Sequence, residues 1–175
     1  MRPIKTVIVV VVLLASIVLI TAKQHVIKPA VGDIAPEISM QSPTGKTIKL
    51  SSLWGKVVLV DFWASWCRSC RIENNTIRQA YDIYKTQKFN IGNGFEVYSV
   101  SLDNNLAQWQ KAIGNDRLSW SSHVCDFKKW DSPIVEKYNF RYLPHNVLID
   151  QNGVIVAKGL YGSQLEETLK EHLAE

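Results

Sequence analysis

Two cysteines separated by two residues stand in Trp66-Cys67-Arg68-Ser69-Cys70, three residues after the apolar run Val57-Val58-Leu59-Val60-Asp61-Phe62. That run, introduced by Gly55, reads as a fully buried strand. From Cys70 to about Lys85, apolar residues Ile72, Ile77, Ala80, Tyr81 and Tyr84 recur at three- and four-residue spacing, which predicts a helix with these residues on its core face. Cys67 therefore falls at a helix N-terminus, where unpaired backbone N–H groups and the positive end of the helix dipole favour thiolate over thiol. Arg68 adds a neighbouring cation. A thiolate there can attack a disulfide, and Cys70, one turn inward, can then displace the attacked partner and close a Cys67–Cys70 disulfide.

Two other uses of such a pair fit less well. Structural cross-links gain most by closing long loops, and this one closes a very short loop. A structural zinc site needs a second pair of Cys or His ligands at similar spacing, and the sequence has none. The third cysteine, Cys125, lies beside Val124 and near Phe127 and reads as a small buried residue. Of the six tryptophans, Trp66 is the expected contact for partner proteins, and the others are assigned to the core or to strand ends.

The elements that must position the pair follow from periodicity. Glu37–Met40 and Lys46–Leu50 flank Ser42-Pro43-Thr44-Gly45, a hairpin signal. Gly94–Leu102 reads as a second buried strand, and Asn105–Ile113 as a short helix with Leu106, Trp109 and Ile113 on one side. After a less regular stretch, Asn146–Asp150 and Val154–Ala157 form a hairpin across Gln151-Asn152-Gly153, and Ser163 with Glu166 predicts a capping box on a final helix. Strands alternating with helices predict a three-layer α/β sandwich on a mixed sheet, in one domain over 37–175.

Charge and hydropathy separate the N-terminus from the rest. The formal net charge is +4, but Arg2, Lys5, Lys23 and Lys28 all precede the first acidic residue; without them 16 Lys and Arg face 16 Asp and Glu. A surface built for nucleic acid would keep its excess, so no nucleic-acid partner is expected. Thr6–Ala22 is a run of 17 uncharged residues, about 25 Å as a helix at 1.5 Å per residue, enough for a thin hydrocarbon core. Residues 1–22 are expected to form a signal-anchor helix, and cleavage after Ala22 is disfavoured by Ile20 at the −3 position. Residues 23–36, with Pro29 and Pro36, read as a semi-extended juxtamembrane linker. Such an anchor exports the domain, placing the cysteines where disulfides persist.

The segment Asp61-Phe62-Trp63-Ala64-Ser65-Trp66-Cys67-x-x-Cys70 resembles the active-site block of thioredoxins. With Gly55–Val60, the anchor, Tyr142-Leu143-Pro144 and Val147–Gly153, the chain over roughly 32–173 is similar to the membrane-anchored TlpA-like and ResA-like thiol–disulfide oxidoreductases of bacteria. The resemblance implies a thioredoxin fold with an added N-terminal hairpin, Cys67 as nucleophile and Cys70 as resolving cysteine. It implies a cis-proline at Pro144 and two carboxylates for proton transfer, Asp61 and Glu73. Trp66, Arg68, Ser69, Leu143, Pro144 and His145 become the expected substrate-binding surface. His145 is either a neighbour of the thiolate or an exposed strand-end residue. No metal or cofactor is implied. The partners implied are protein thiols and disulfides such as those of apocytochrome c, with an upstream membrane thiol donor. The implied location is the cytoplasmic membrane, with the domain on its outer side.

The chain departs from the family at Ser69, where proline is common, at Asn75, and at His145, where threonine is usual. Two other activities are also read from the chain. One is copper binding by Cys67, Cys70 and His145 as soft ligands; the other is a thiol peroxidase, suggested by Gly32-x-x-Ala35-Pro36, although Ala64 stands where that chemistry uses threonine.

Overall fold

The computed structural model describes residues 28–175. The expected anchor, 1–22, and the start of the expected linker lie outside the described residues. Among the described residues no helix is long and apolar enough to cross a membrane.

Among the described residues, nine strands and four α-helices follow one another in the order β1 (Ser39–Gln41), β2 (Thr47–Lys49), β3 (Val57–Trp63), α1 (Arg68–Tyr84), β4 (Lys88–Phe89), β5 (Gly92–Asn93), β6 (Phe95–Ser101), α2 (Leu106–Asn115), β7 (His123–Cys125), α3 (Pro133–Tyr138), β8 (His145–Ile149), β9 (Ile155–Lys158) and α4 (Ser163–Glu171). Seven strands form one sheet in the order β2-β1-β7-β6-β3-β8-β9, and β4 pairs with β5 in a small separate ribbon. β6 runs parallel to β3 and β7, whereas β8 runs antiparallel to β3 and β9. This is the mixed sheet of a thioredoxin fold, with β1 and β2 as the expected N-terminal hairpin.

β3 is central because every one of its seven residues is buried. Only a strand covered by helices on both faces can bury a run without alternation. Each fully buried Val or Leu there contributes about 1.5–3 kcal/mol. Alternation still sorts the side chains into two faces. Phe62 rests on Tyr138 of α3, with ring centroids 4.9 Å apart. Asp61 points to the opposite face, toward α1.

Three local expectations are corrected. The buried face of α1 is Cys70, Asn74, Ile77, Ala80 and Tyr84, while Ile72 is 67% exposed; at helical spacing from Cys70, position 72 turns outward. Leu106 is likewise exposed, and α2 buries Trp109 and Ala112. Ser163 does not cap α4. The N-cap is Gly162, which has φ 56° and no side-chain cap bond. A positive φ is easy for glycine, and the chain enters the helix in a direction that aims the Gly162 N–H at Glu73.

The stretch before β1 is tied to the domain. Gly32 and Ala35 donate backbone hydrogen bonds to Ile155 and Gly153, Ile34 bridges to Val154, and Tyr138 and Lys158 donate to the carbonyls of Pro36 and Pro29. Residues 29–36 of the expected linker are thus docked along the β8–β9 hairpin.

Candidate active site

Cys67 is the N-cap of α1, in extended backbone, and its Sγ accepts the N–H of Cys70 at 3.2 Å. A sulfur therefore occupies the place where a serine or aspartate oxygen usually satisfies a free N–H of the first turn. Cys67 and Cys70 are joined as a disulfide with Cα atoms 5.3 Å apart. The two sulfurs differ in access: Cys67 keeps 8% of its surface, and Cys70 only 1%. Ser69 Oγ lies 3.4 Å from Cys67 Sγ.

The turn that carries Cys67 is held from beneath. Buried Asp103, just past β6, accepts the Ser65 N–H at 2.9 Å, the Ser65 hydroxyl at 2.6 Å and the Ser101 hydroxyl at 2.6 Å. Arg71 donates to the Ser65 carbonyl at 3.3 Å and grips Asp116 through Nε and Nη2, while Asn74 donates to the same carboxylate at 2.8 Å. None of Asp103, Arg71 or Asp116 stood out in the sequence, because each acts through a partner 6 to 45 positions away.

Asp61 is 1% exposed, and its Oδ2 has no hydrogen-bond partner. Loss of hydration pushes its carboxyl up to about 8, and the negative charge of Glu73 adds to the rise. Glu73, on α1, is itself raised by burial; its Oε1 accepts the Gly162 N–H at 3.1 Å, which opposes that rise. The Leu143–Pro144 bond is cis. Tyr161, at the entrance to α4, donates its hydroxyl to the Pro144 carbonyl at 3.1 Å and lies close enough to Asp61 and Glu73 to sense their charge. Tyr161 has no sequence signal of its own.

Trp66, Arg68, Ser69 and Leu143 line an open groove beside Cys67, together with Ile72, Trp130, Arg141 and Tyr142. Trp66 is not the sole exposed tryptophan, since Trp54 and Trp130 also reach solvent. The polar setting of Trp130, Lys128-Lys129-Trp130-Asp131, was the available hint.

His145 lies elsewhere. It is opposite Phe62 on β8, hence on the face away from Asp61. Its ring stacks on Phe140 at 5.2 Å and 14°, with Phe62 and Tyr142 around it. Desolvation and the nearby Lys158 push it down to about 4, so it is neutral. His145 is therefore neither an exposed strand-end residue nor a lining residue of the groove. Among the described residues no three His, Cys, Asp or Glu side chains assemble as a metal site, and the copper set of Cys67, Cys70 and His145 is not brought together. Cys125 is buried in β7 with its thiol raised to about 11 by desolvation, as expected of a small core residue.

The comparisons with known proteins agree with this geometry. A family model described as thioredoxin-like matches residues 55–155. The chain is 30% identical over 144 residues to the thiol-disulfide oxidoreductase ResA of Geobacillus kaustophilus, covering 82% of this chain and 76% of that protein. It is 28% identical over 142 residues to ResA of Bacillus subtilis, covering 81% and 73%. Among solved structures it is similar to the thioredoxin domain of a thiol-disulfide oxidoreductase from Bacteroides vulgatus, with TM-score 0.73 and 35% identity over 81% of this chain and 96% of that one. A thiol:disulfide interchange protein from Bacteroides sp. gives TM-score 0.73 and 34% identity over 83% and 91%. With a strand-to-helix cysteine pair, a cis-proline and these relatives, the chain belongs to the thioredoxin-like family as a thiol–disulfide oxidoreductase of the ResA-like and TlpA-like kind.

Proposed function

We propose that this enzyme works as a membrane-anchored, extracytoplasmic reductant of protein disulfides, with the haem-attachment cysteines of apocytochrome c as a fitting substrate. The observation that carries the reading is the asymmetry of the pair: a reachable Cys67 at the α1 N-terminus, a buried Cys70, and a buried Asp61 whose carboxyl is raised to about 8. The Cys67 thiolate attacks one sulfur of a substrate disulfide; that S–S bond breaks, and the departing sulfur leaves as a thiolate and takes up a proton. Asp61, once it has released its own proton, accepts the Cys70 proton as a carboxylate, a transfer favoured because its raised pKa comes near that of a thiol. Cys70 then attacks Cys67 Sγ and frees the second substrate sulfur. Two electrons pass to the substrate, and an upstream dithiol donor must return them.

Two raised carboxyls near the pair support the reducing direction. Each gives up charge more readily than it tolerates a neighbouring thiolate, so the dithiol form gains little from ionisation. Strong oxidants owe their potential to the opposite, a stabilised reduced form. Leu143, joined to Pro144 by the cis bond, lines the groove with Trp66 and offers a surface for a substrate strand. The uncharged run 6–22 supports the anchor.

A redox titration of the full-length chain in detergent, read by mass after thiol trapping, tests the reading. A potential below about −200 mV supports a reductant, and one near −120 mV a disulfide donor. Cys70→Ser is expected to stall as a mixed disulfide with its substrate, and Cys67→Ser to form none. If Cys67 and Cys70 never interconvert between dithiol and disulfide, the proposal fails. Labelling of reduced Cys67 in intact cells by a membrane-impermeant thiol reagent checks the outer location.

A further inference from the structure

Four large apolar side chains crowd around Cys67 without being buried: Ile72 is 67% exposed, Tyr142 66%, Trp66 48% and Trp130 42%. Isolated exposed apolar residues are ordinary, but a contiguous set beside a reactive sulfur marks a surface that is covered in use. Here the set lines one groove of about 670 Å³.

Trp130 is put there at a cost. Phe127 and Lys129, either side of Lys128, have φ of 61° and 52°, the left-handed region that side chains other than glycine seldom adopt. The loop is pinned by Asp126, which accepts the Lys128 N–H at 3.1 Å and the Ser132 hydroxyl at 2.7 Å, and by the Phe127 ring, edge-on to Trp109 at 5.8 Å. Held so, the Trp130 ring stands 6.5 Å from that of Trp66. The two indoles form an aromatic platform at the edge of the disulfide.

The charged residues lining the groove have one sign. Arg68 and Arg141 line it, and no carboxylate does. The ion pairs among the described residues involve neither of these arginines. Acidic Asp131 and Glu136 line a neighbouring cleft, which shares Trp130 and Arg141 with the groove. Guanidinium groups beside aromatic rings both stack and take carboxylates through paired N–H donors.

Resting on the oxidoreductase reading above, we infer that the groove selects a partner segment in which the reacting cysteine is flanked by a large apolar side chain and by an acidic residue. The apolar side chain packs on Trp66 and Trp130. The carboxylate lies between Arg68 and Arg141. This is a preference for acidic surroundings of the cysteine, set by the rim and separate from the sulfur chemistry itself. The thiolate of Cys67 attacks the partner's S–S bond as before, and the partner sulfur that departs carries the electron pair of that bond.

The test uses the full-length chain in detergent, reduced and freed of reductant. It is mixed with peptides closed by an internal disulfide and matched except at the flanking position, Glu in one and Lys in the other. Hydroxyethyl disulfide, small and uncharged, is the reference. The Glu peptide is expected to be reduced faster by about tenfold at low salt, the combined effect of two rim charge contacts. The advantage should shrink as ionic strength rises. Arg141→Gln should roughly halve the logarithm of that ratio, and the Arg68→Glu/Arg141→Glu pair should invert it. Trp130→Ala should slow both peptides by a similar factor while leaving their ratio in place. Equal rates for the Glu and Lys peptides, or a ratio indifferent to both arginine changes, overturn the inference alone. Failure to reduce any probe, hydroxyethyl disulfide included, overturns the oxidoreductase reading and this inference with it.

Discussion

The two faces of β3 at its active-site end carry the same kind of residue to different ends. On one face Asp61 is buried against α1; on the other, one position along, Phe62 packs with His145 across the β3–β8 ladder. Burial favours the neutral form of both titratable groups, driving Asp61 up to about 8 and His145 down to about 4. Their surroundings differ. Each keeps one buried atom without a hydrogen-bond partner, Oδ2 of Asp61 and Nε2 of His145, but Asp61 has a second acid, Glu73, near enough to feel. His145 is walled by Phe62, Phe140 and Tyr142. Desolvation alone does not make a catalytic acid; it does so where the proton can be exchanged with a reacting group.

The strongest way to break this contrast is Asp61→Asn. The resolving attack of Cys70 is expected to slow about a hundredfold, the usual worth of one positioned acid–base group, measured by the lifetime of a trapped mixed disulfide. Stability should move the other way. The folded pKa of Asp61 lies above its unfolded value, so its favourable contribution is complete below about pH 4 and is lost as pH rises toward about 8. Relative to wild type the Asn variant should gain on the order of 5 to 6 kcal/mol across that window and no more beyond it. Urea unfolding at pH 4, 6 and 8.5 reads the difference.

A finer intervention is Glu73→Gln, which keeps an acceptor for the Gly162 N–H and removes the charge that helps raise Asp61. The midpoint of the pH dependence of the resolving step should fall, with a few-fold change in rate at neutral pH. An unmoved midpoint would separate the two acids.

His145→Phe sharpens the other face and has the smallest effect. Its folded pKa lies below the unfolded value, so the stability of wild type is full above about pH 6.5 and is lost as pH falls toward about 4. The Phe variant should lose less melting temperature between pH 7 and pH 4 than wild type. Its disulfide exchange should stay near the wild-type rate, because the imidazole does not line the groove.

Much of the redox pair could be read from local pattern. An apolar run ending in Trp-Cys-x-x-Cys before a helical period places a cysteine at a helix N-terminus whatever the rest of the chain does. The Asp inside that run needed a reason to be there, and Pro144 was placed by its resemblance to the cis-proline motif. Helix orientation was less legible. Ile72 matched an apolar pattern, yet Asn74 takes the inward place, because the carboxylate of Asp116 satisfies its amide. Ser163 matched a capping pattern, yet glycine one position earlier makes the turn.

By itself the sequence determined the strand-to-helix junction, the chemistry of Cys67 and Cys70, and the burial of Asp61, since these depend on neighbours within a few residues and on hydrophobic period. Tertiary structure alone decided what surrounds the sulfurs. Asp103 beneath Ser65, Tyr161 on the Pro144 carbonyl, and Trp130 and Arg141 beside Cys67 are brought in by chain segments 17 to 74 residues apart in sequence. Such contacts are fixed only when the sheet order closes, because no local propensity encodes which distant loop will face an exposed sulfur.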